Sequence, residues 1–308
     1  MVSILRARFQ HGFRTIKFPD DGIRLPERFR GRPKIDQSKC PDGCQACVDV
    51  CPTQAMSFGL AGPALSQGQL SHIQGAGPAN PSPLAGGGGY TPEPGVEGPS
   101  GPLDRRKDGK GLRLDLGRCI FCTECVDSCP EKAIAYTPEF RMATRRPEDL
   151  VITGEEQRLA DALDGKMRHL FGRSLKLRQV SASGCNGCEV EANATGNVVF
   201  DAFRFGIQFV ASPRHADGIL VTGPVSKNME LALRKTYDAV PPPKIVIACG
   251  SCAISGGPFR DHPEVLNGIG GIVPVDLYIP GSPPHPLTIL DGLLRLMGRI
   301  EDGTRKMG

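Results

Sequence analysis

A chain of 308 residues has room for two domains with their own cores, and its net charge of only +4 excludes the polyelectrolyte character expected of a nucleic-acid binder. Twelve cysteines with no secretory leader argue against a disulfide scaffold and for metal ligation in a reducing cytoplasm. No apolar run reaches the length of a membrane-spanning helix, so membrane association is expected only through partners or a surface segment.

Residues 1–36 read as a basic N-terminal arm, with nine lysines and arginines against four acidic residues. Within it, Met1 to Phe13 sets Ile4, Leu5, Phe9 and Phe13 among basic residues. That pattern suits a short amphipathic helix lying on a membrane or a partner, or an arm packed on its own core.

Residues 37–140 are expected to form one small domain. Cys40, Cys44, Cys47 and Cys51-Pro52 make one cysteine run, and Cys119, Cys122, Cys125 and Cys129-Pro130 make another. The second has the C-x2-C-x2-C-x3-C-P spacing that holds a [4Fe-4S] cluster. Three thiolates from a tight loop wrap one corner, and the fourth is expected to open a helix, where proline's missing N–H is harmless. In the first run the opening gap is one residue longer, and Gly43 can relieve it. Zinc or inert thiols are the bland alternative, disfavoured by the Cys-Pro endings. Crossed ligation would place one cluster on Cys40, Cys44, Cys47 and Cys129 and the other on Cys119, Cys122, Cys125 and Cys51. Short apolar stretches at 55–58 and 133–136 follow the two runs as strand candidates, which makes the halves an internal repeat.

Between the halves, residues 59–111 are dominated by glycine and proline, and no lysine or arginine occurs from Ser57 to Asp104. Such a stretch has too little apolar area to offset its ordering entropy and reads as a disordered insertion. Its glycines are not a phosphate-binding loop, because no strand leads in and no Gly-Lys-Ser/Thr follows.

Residues 141–174 read as a linker with one helix. Thr153 and Glu156 form a capping box ahead of a helix over 153–171, with Leu159, Leu163, Met167, Leu170 and Phe171 on its buried face and Gly172 as its stop. From residue 175 to 308, strand candidates (176–181, 207–211, 218–222, 244–248, 275–279) alternate with helices. The clearest helices are 227–240, N-capped by Ser226, and 286–300. The pattern predicts an α/β doubly wound (flavodoxin-like) parallel sheet behind an α+β domain of the two-[4Fe-4S] ferredoxin type. Sites in such sheets lie beyond the carboxyl ends of the strands, where Cys185, Cys188, Cys249, Cys252 and the loop Pro280 to Pro284 fall. His215, Asp217 and His285 read as loop or capping residues. No nucleophile–base pair and no nucleotide fingerprint is present.

Taken together, the stretches 184–191, 213–217, 222–225, 250–253 and 256–259 resemble the small iron–sulfur subunit of membrane-bound [NiFe] hydrogenases, including formate hydrogenlyase, and equally the B-type (20-kDa) subunit of respiratory complex I. Asn186-Gly187 between two cysteines is more like the hydrogenase branch, since the complex I subunit has adjacent cysteines there. The N-terminal half, with Leu25 to Gly31 ahead of its first cysteine run, resembles the two-cluster ferredoxin subunit of the same complexes. The resemblance implies a fusion of two neighbouring parts of one electron wire. It would be an electron-transfer subunit without its own active site, peripheral on the cytoplasmic face of the inner membrane. A large catalytic subunit with a nickel–iron centre or a quinone pocket would be its partner, together with membrane subunits.

The resemblance also implies a third, terminal [4Fe-4S] cluster on Cys185, Cys188 and Cys252, with Glu191 at the catalytic interface in a proton or quinone role. The family's fourth ligand is a cysteine where this chain has Ser282, and Cys249 stands where the family has an aliphatic residue. Either Cys249 restores the fourth thiolate, which is the better iron–sulfur ligand, or Ser282 ligates, or the cluster is three-iron or absent. A reading of a different class is a metal-stabilised assembly module without turnover.

Overall fold

The computed structural model describes residues 2–12, 14–19, 23–41, 43–58, 111–154, 157–301 and 304–305. The expected glycine-rich insertion lies, apart from Gly111, outside the described residues.

An N-terminal helix α1 (Val2–His11) leads into a small β layer. Strand β1 (Pro33–Ile35) enters the first cysteine loop, helix α2 (Ala46–Asp49) carries Cys47, and β2 (Met56–Phe58) leaves it. The second half repeats this with β3 (Leu112–Asp115), α3 (Glu124–Asp127) carrying Cys125, and β4 (Ile134–Tyr136). The halves interlock: β1 pairs antiparallel with β4 through Ile35↔Ile134, and β2 with β3 through Met56↔Leu114. Each half thus buries its apolar strand against the other, so neither is a stable unit alone. A short β5 (Val151–Ile152) extends the β2–β3 pair.

The expected helix after each fourth cysteine is not there. Single-turn helices precede Cys51 and Cys129 instead, and each Cys-Pro opens a turn that ends on a left-handed residue, Gln54 (φ 53°) or Lys132 (φ 49°). The turn is closed by the thiol sulfur: Cys51 Sγ accepts the Ala55 N–H and Cys129 Sγ the Ala133 N–H, each at 3.2 Å. Gly43 takes φ +95°, a region that L side chains avoid, where the longer gap of the first run must be absorbed.

The segment 141–174 is not a free linker. Thr144 bridges Tyr278 through reciprocal backbone hydrogen bonds, the Ala160 N–H donates to Ala143 O and the Leu163 N–H to Leu296 O. The expected helix over 153–171 shrinks to α4 (Gly165–Phe171). Its N-cap is Asp164, whose carboxylate accepts the Met167 N–H, not Thr153. Leu170 is exposed, not on a buried face. The reason is tertiary: residues 157–164 form no regular element, and their Ala160 and Leu163 fill the core, a gain that exceeds local helix propensity. Gly172 ends α4 as expected.

The α/β part comprises β6 (Leu175–Ser181), α5 (Gly187–Ala194), β7 (Ile207–Phe209), β8 (Gly218–Thr222), α6 (Lys227–Ala239), β9 (Ile245–Cys249), α7 (Ser251–Ser255), β10 (Leu277–Ile279) and α8 (Pro286–Leu296). The sheet order is β10-β9-β8-β6-β7 with every pairing parallel. Strand residues alternate between two cores: Ile219, Val221, Val246 and Ala248 face one, Leu220, Ile245, Ile247 and Cys249 the other. Helix α8 is buried along its whole length, because the sheet, α5 and the 141–164 strap enclose it. Ser226 occupies the N-cap position of α6 without capping it; its hydroxyl meets Ser183 Oγ at 2.7 Å instead. A last hairpin joins β11 (Ile300–Glu301) to β12 (Thr304–Arg305).

The first core does not stop at a domain boundary. It runs from Ile35, Leu114 and Ile152 of the small β layer into Val221 and Ile254 of the α/β part. The two halves are therefore held at a fixed distance by close packing.

Candidate metal centres

Tertiary structure gathers the cysteines across the chain. The pKa of the Cys47 thiol is pushed up to about 12 by burial, then by Cys40, Cys125, Cys129 and Cys44 around it. Burial likewise raises that of Cys119 to about 12, with Cys125, Cys51 and Cys122 adding to the shift. Cysteines of both runs thus act on each other, Cys125 and Cys129 on Cys47 and Cys51 on Cys119, because the crossed strand pairing brings the end of one half beside the start of the other. Burial keeps these crowded thiols protonated as long as no metal competes for them. Their donor chemistry fits a metal cluster that takes them as thiolates. Among the described residues, no three His, Cys, Asp or Glu side chains are arranged to hold a single ion.

The second loop is shaped by contacts that spacing did not reveal. Phe121 adopts φ +56° and is buried, its N–H donating to Cys119 Sγ at 3.3 Å. Arg30 donates to Phe121 O at 2.9 Å and Tyr136 Oη to Cys122 O. The Leu25 to Gly31 stretch thereby acts as a brace for this loop.

A third group forms at the carboxyl ends of β6 and β9. The pKa of Cys188 is raised to about 12 by burial and by Cys252, Glu189 and Cys185 beside it, and that of Cys252 to about 11 by burial, Cys185 and Glu189. Gly250 has φ +92°, and a Cβ there would sit 2.4 Å from Cys188 Sγ, so a side chain at 250 would expel the thiol. Cys249 is fully buried in the apolar core at the end of β9, its thiol pKa raised by that burial and then by Cys188 and Glu189. Ser282 is exposed on the loop after β10.

Sequence reasoning singled out Glu191 but missed Glu189. Glu189 is 7% exposed, and its Oε1 accepts from Ser181 Oγ at 2.5 Å and Thr222 Oγ1 at 2.8 Å. It thereby ties the first turn of α5 to two strands and holds a carboxylate beside Cys188. Its signal was its place directly after a cysteine at a helix start. Glu191 is less enclosed, its carboxyl pKa raised by burial. It lines a cleft of about 470 Å³ shared with Cys122, Ser282, His285 and Thr288. His285 is the N-cap of α8, Nδ1 accepting the Leu287 N–H at 3.2 Å, and burial lowers its pKa. Asp217 accepts the Lys176 N–H at 2.7 Å and fixes the start of β6.

One hydroxyl links the second and third groups. Ser251, next to Cys252 and 1% exposed, donates from Oγ to Cys119 O at 2.5 Å and to Gly281 O at 3.1 Å. One turn later Ser255 Oγ donates to Gly117 O at 2.8 Å. Ser251→Ala takes this donor from the Cys119 carbonyl, while Gly281 O keeps the Ser251 N–H at 2.8 Å, and the loss is expected to cost about 1–3 kcal/mol, read as a lower unfolding midpoint in denaturant. A midpoint equal to wild type would show that packing alone holds the junction.

Residues 185–296 match the family described as NADH ubiquinone oxidoreductase, 20 Kd subunit, and residues 32–130 match the 4Fe-4S dicluster domain. The chain is 46% identical over 136 residues to formate hydrogenlyase subunit 7 of Escherichia coli, covering 44% of this chain and 53% of that protein, about half its length. It is 44% identical over 122 residues to an NADH-quinone oxidoreductase subunit of Heliobacterium modesticaldum, covering 39% of this chain and 70% of that one. Over 130 residues it is 41% identical to a Pyrococcus furiosus protein described as a probable membrane-bound hydrogenase subunit, covering 42% of this chain and 78% of that one. The chain therefore belongs to the NADH ubiquinone oxidoreductase 20 Kd subunit family, joined in one polypeptide to a 4Fe-4S dicluster domain.

Proposed function

We propose that this chain is an electron-transfer subunit of a membrane-associated, hydrogenase- or formate-hydrogenlyase-like complex. Bound [4Fe-4S] clusters supply one-electron acceptance and release. In this reading Cys40, Cys44, Cys47 and Cys129 hold one cluster, and Cys51, Cys119, Cys122 and Cys125 a second. Cys185, Cys188 and Cys252 supply three ligands of a third. The observation that carries the reading is the Ser251 junction, which sets the backbone of Cys119 against the residue preceding Cys252 inside one continuous core. A fixed, dry separation is what transfer between two sites requires and what an assembly module does not.

Domain limits at 37–140 and 175–308 belong to the same proposal, as does the flavodoxin-like class of the α/β part. The 2-1-3-4-5 strand order supports that class. A large catalytic subunit would seat on the third site, with the complex on the cytoplasmic face of the inner membrane. Among the described residues no helix is long and apolar enough to cross a membrane. A quinone-reducing partner of complex I type is the second reading, favoured by the cleft that Glu191 lines together with Cys122 and Ser282.

For the fourth ligand of the third cluster, the electrostatic influence of Cys188 on Cys249 supports Cys249. The exposed loop position of Ser282 supports Ser282. Iron and acid-labile sulfide on anaerobically purified protein, with EPR, are expected to give about twelve irons per chain in wild type, falling by about four in Cys249→Ala and unchanged in Ser282→Ala. The reverse pattern would assign Ser282. About eight irons, unaltered by both substitutions, would mean no third cluster and would replace the wire by an assembly module.

A further inference from the structure

We propose that α1 is a lipid-docking element that lays this chain on an anionic membrane surface. The helix is ten residues long, too short to persist in water by itself. Among its described side chains, Ser3, Ile4, Leu5, Arg6, Ala7, Phe9 and Gln10 are all exposed. Ile4 is 73%, Leu5 59% and Phe9 87% exposed, an arrangement that water disfavours and an interface would reward.

The helix is tethered at one fixed place. Directly after it, Thr15 Oγ1 donates to Val198 O and the Ile16 N–H to Val199 O, each at 2.9 Å, while Phe18 inserts into the second core. Arg204 donates to the carbonyls of Ile16 and Phe18. The tether runs beside two more outward apolar side chains, Val198 at 72% and Phe203 at 56% exposed. Of the nine large hydrophobic residues exposed among the described residues, five belong to α1 or to this tether.

Charge selects the occupant. Residues 1–19 contain Arg6, Arg8, Arg14 and Lys17 and no aspartate or glutamate. Arg6, Arg14 and Lys17 are exposed. A protein partner or a second copy would have to present an acidic groove shaped to a single short helix. An anionic bilayer presents a uniform negative field and an apolar boundary together, and stable surface binding takes two such signals. The inference deepens the membrane-peripheral part of the proposed function. It stands apart from the clusters, on which the iron assay reports.

The test is co-flotation of the anaerobically purified full chain with vesicles of phosphatidylcholine alone or mixed with phosphatidylglycerol. The chain is expected to float with the mixed vesicles and to be released by salt. Leu5→Ser with Phe9→Ser, or Arg6→Glu with Arg8→Glu, is expected to weaken binding about tenfold or more, with iron content as in wild type. Equal flotation with both vesicle types, or variants that bind as wild type does, would overturn the proposal. So would failure to float, including a case in which the chain self-associates and Phe9→Ser makes it monomeric, which would give α1 to a second copy.

Discussion

Cys129→Ala is expected to remove about four irons from the cluster that starts at Cys40, although Cys129 closes the other cysteine run. The ground is the crossed strand pairing and the crowding it produces, with Cys129 among the groups that raise the Cys47 thiol pKa and Cys51 among those that raise that of Cys119. Double substitutions make the assignment without spectral interpretation. Cys44→Ala with Cys129→Ala damages one cluster twice and is expected to lose about four irons, whereas Cys122→Ala with Cys129→Ala damages both and is expected to lose about eight. Losses in the opposite pattern would put each run around its own cluster. Because Cys47 and Cys119 are buried in the shared core, losing a cluster is also expected to lower the unfolding temperature.

Arg295→Met is expected to destabilise the protein by about 3–5 kcal/mol at pH 8, the usual effect of leaving one partner of a buried ion pair alone. Arg295 Nε meets Asp291 Oδ2 at 2.9 Å inside α8, where the residues are 3% and 1% exposed. Burial raises the Asp291 carboxyl pKa to about 6 from its ordinary 3.8, while Arg295 and then Arg141 pull it down and Glu139 opposes them. Between those two values the folded chain holds a proton that the unfolded chain has released. Stability therefore falls as pH rises through the window, by on the order of 3 kcal/mol for this group alone.

Removing the arginine pushes the carboxyl pKa higher still, so the penalty is expected to shrink on acidification below about pH 6, where Asp291 is neutral in both proteins. Asp291→Leu with Arg295→Met leaves no buried charge and is expected to recover most of the loss. Denaturant midpoints for wild type and the two variants at pH 5 and pH 8 check this. A single-variant loss below about 1 kcal/mol at pH 8 would mean that water reaches the pair and screens it.

What repeats and what alternates is legible in the order of residues alone. Two cysteine runs with Cys-Pro endings named the cluster chemistry, since thiolate spacing is dictated by the cluster and not by the fold around it. Alternating apolar strands marked the parallel sheet, and Gly218 to Thr222 emerged with the limits that its five buried residues predict. Both signals are local, and local signals survive in a chain read one window at a time.

Tertiary structure decided the rest, because it depends on residues far apart in the chain. The 153–171 stretch has a helical pattern, yet Ala160 and Leu163 fill the core from a segment without regular structure, and only 165–171 coiled. The helix expected after each Cys-Pro gave way to a turn closed by the cysteine's own sulfur. Glu189 became a buried carboxylate only when Ser181 and Thr222, from two different strands, converged on it. The Ser251–Cys119 contact spans 132 positions, and no periodicity carries it. Spacing marks the candidate ligands; long-range packing sets how far apart the sites stand and what lies between them.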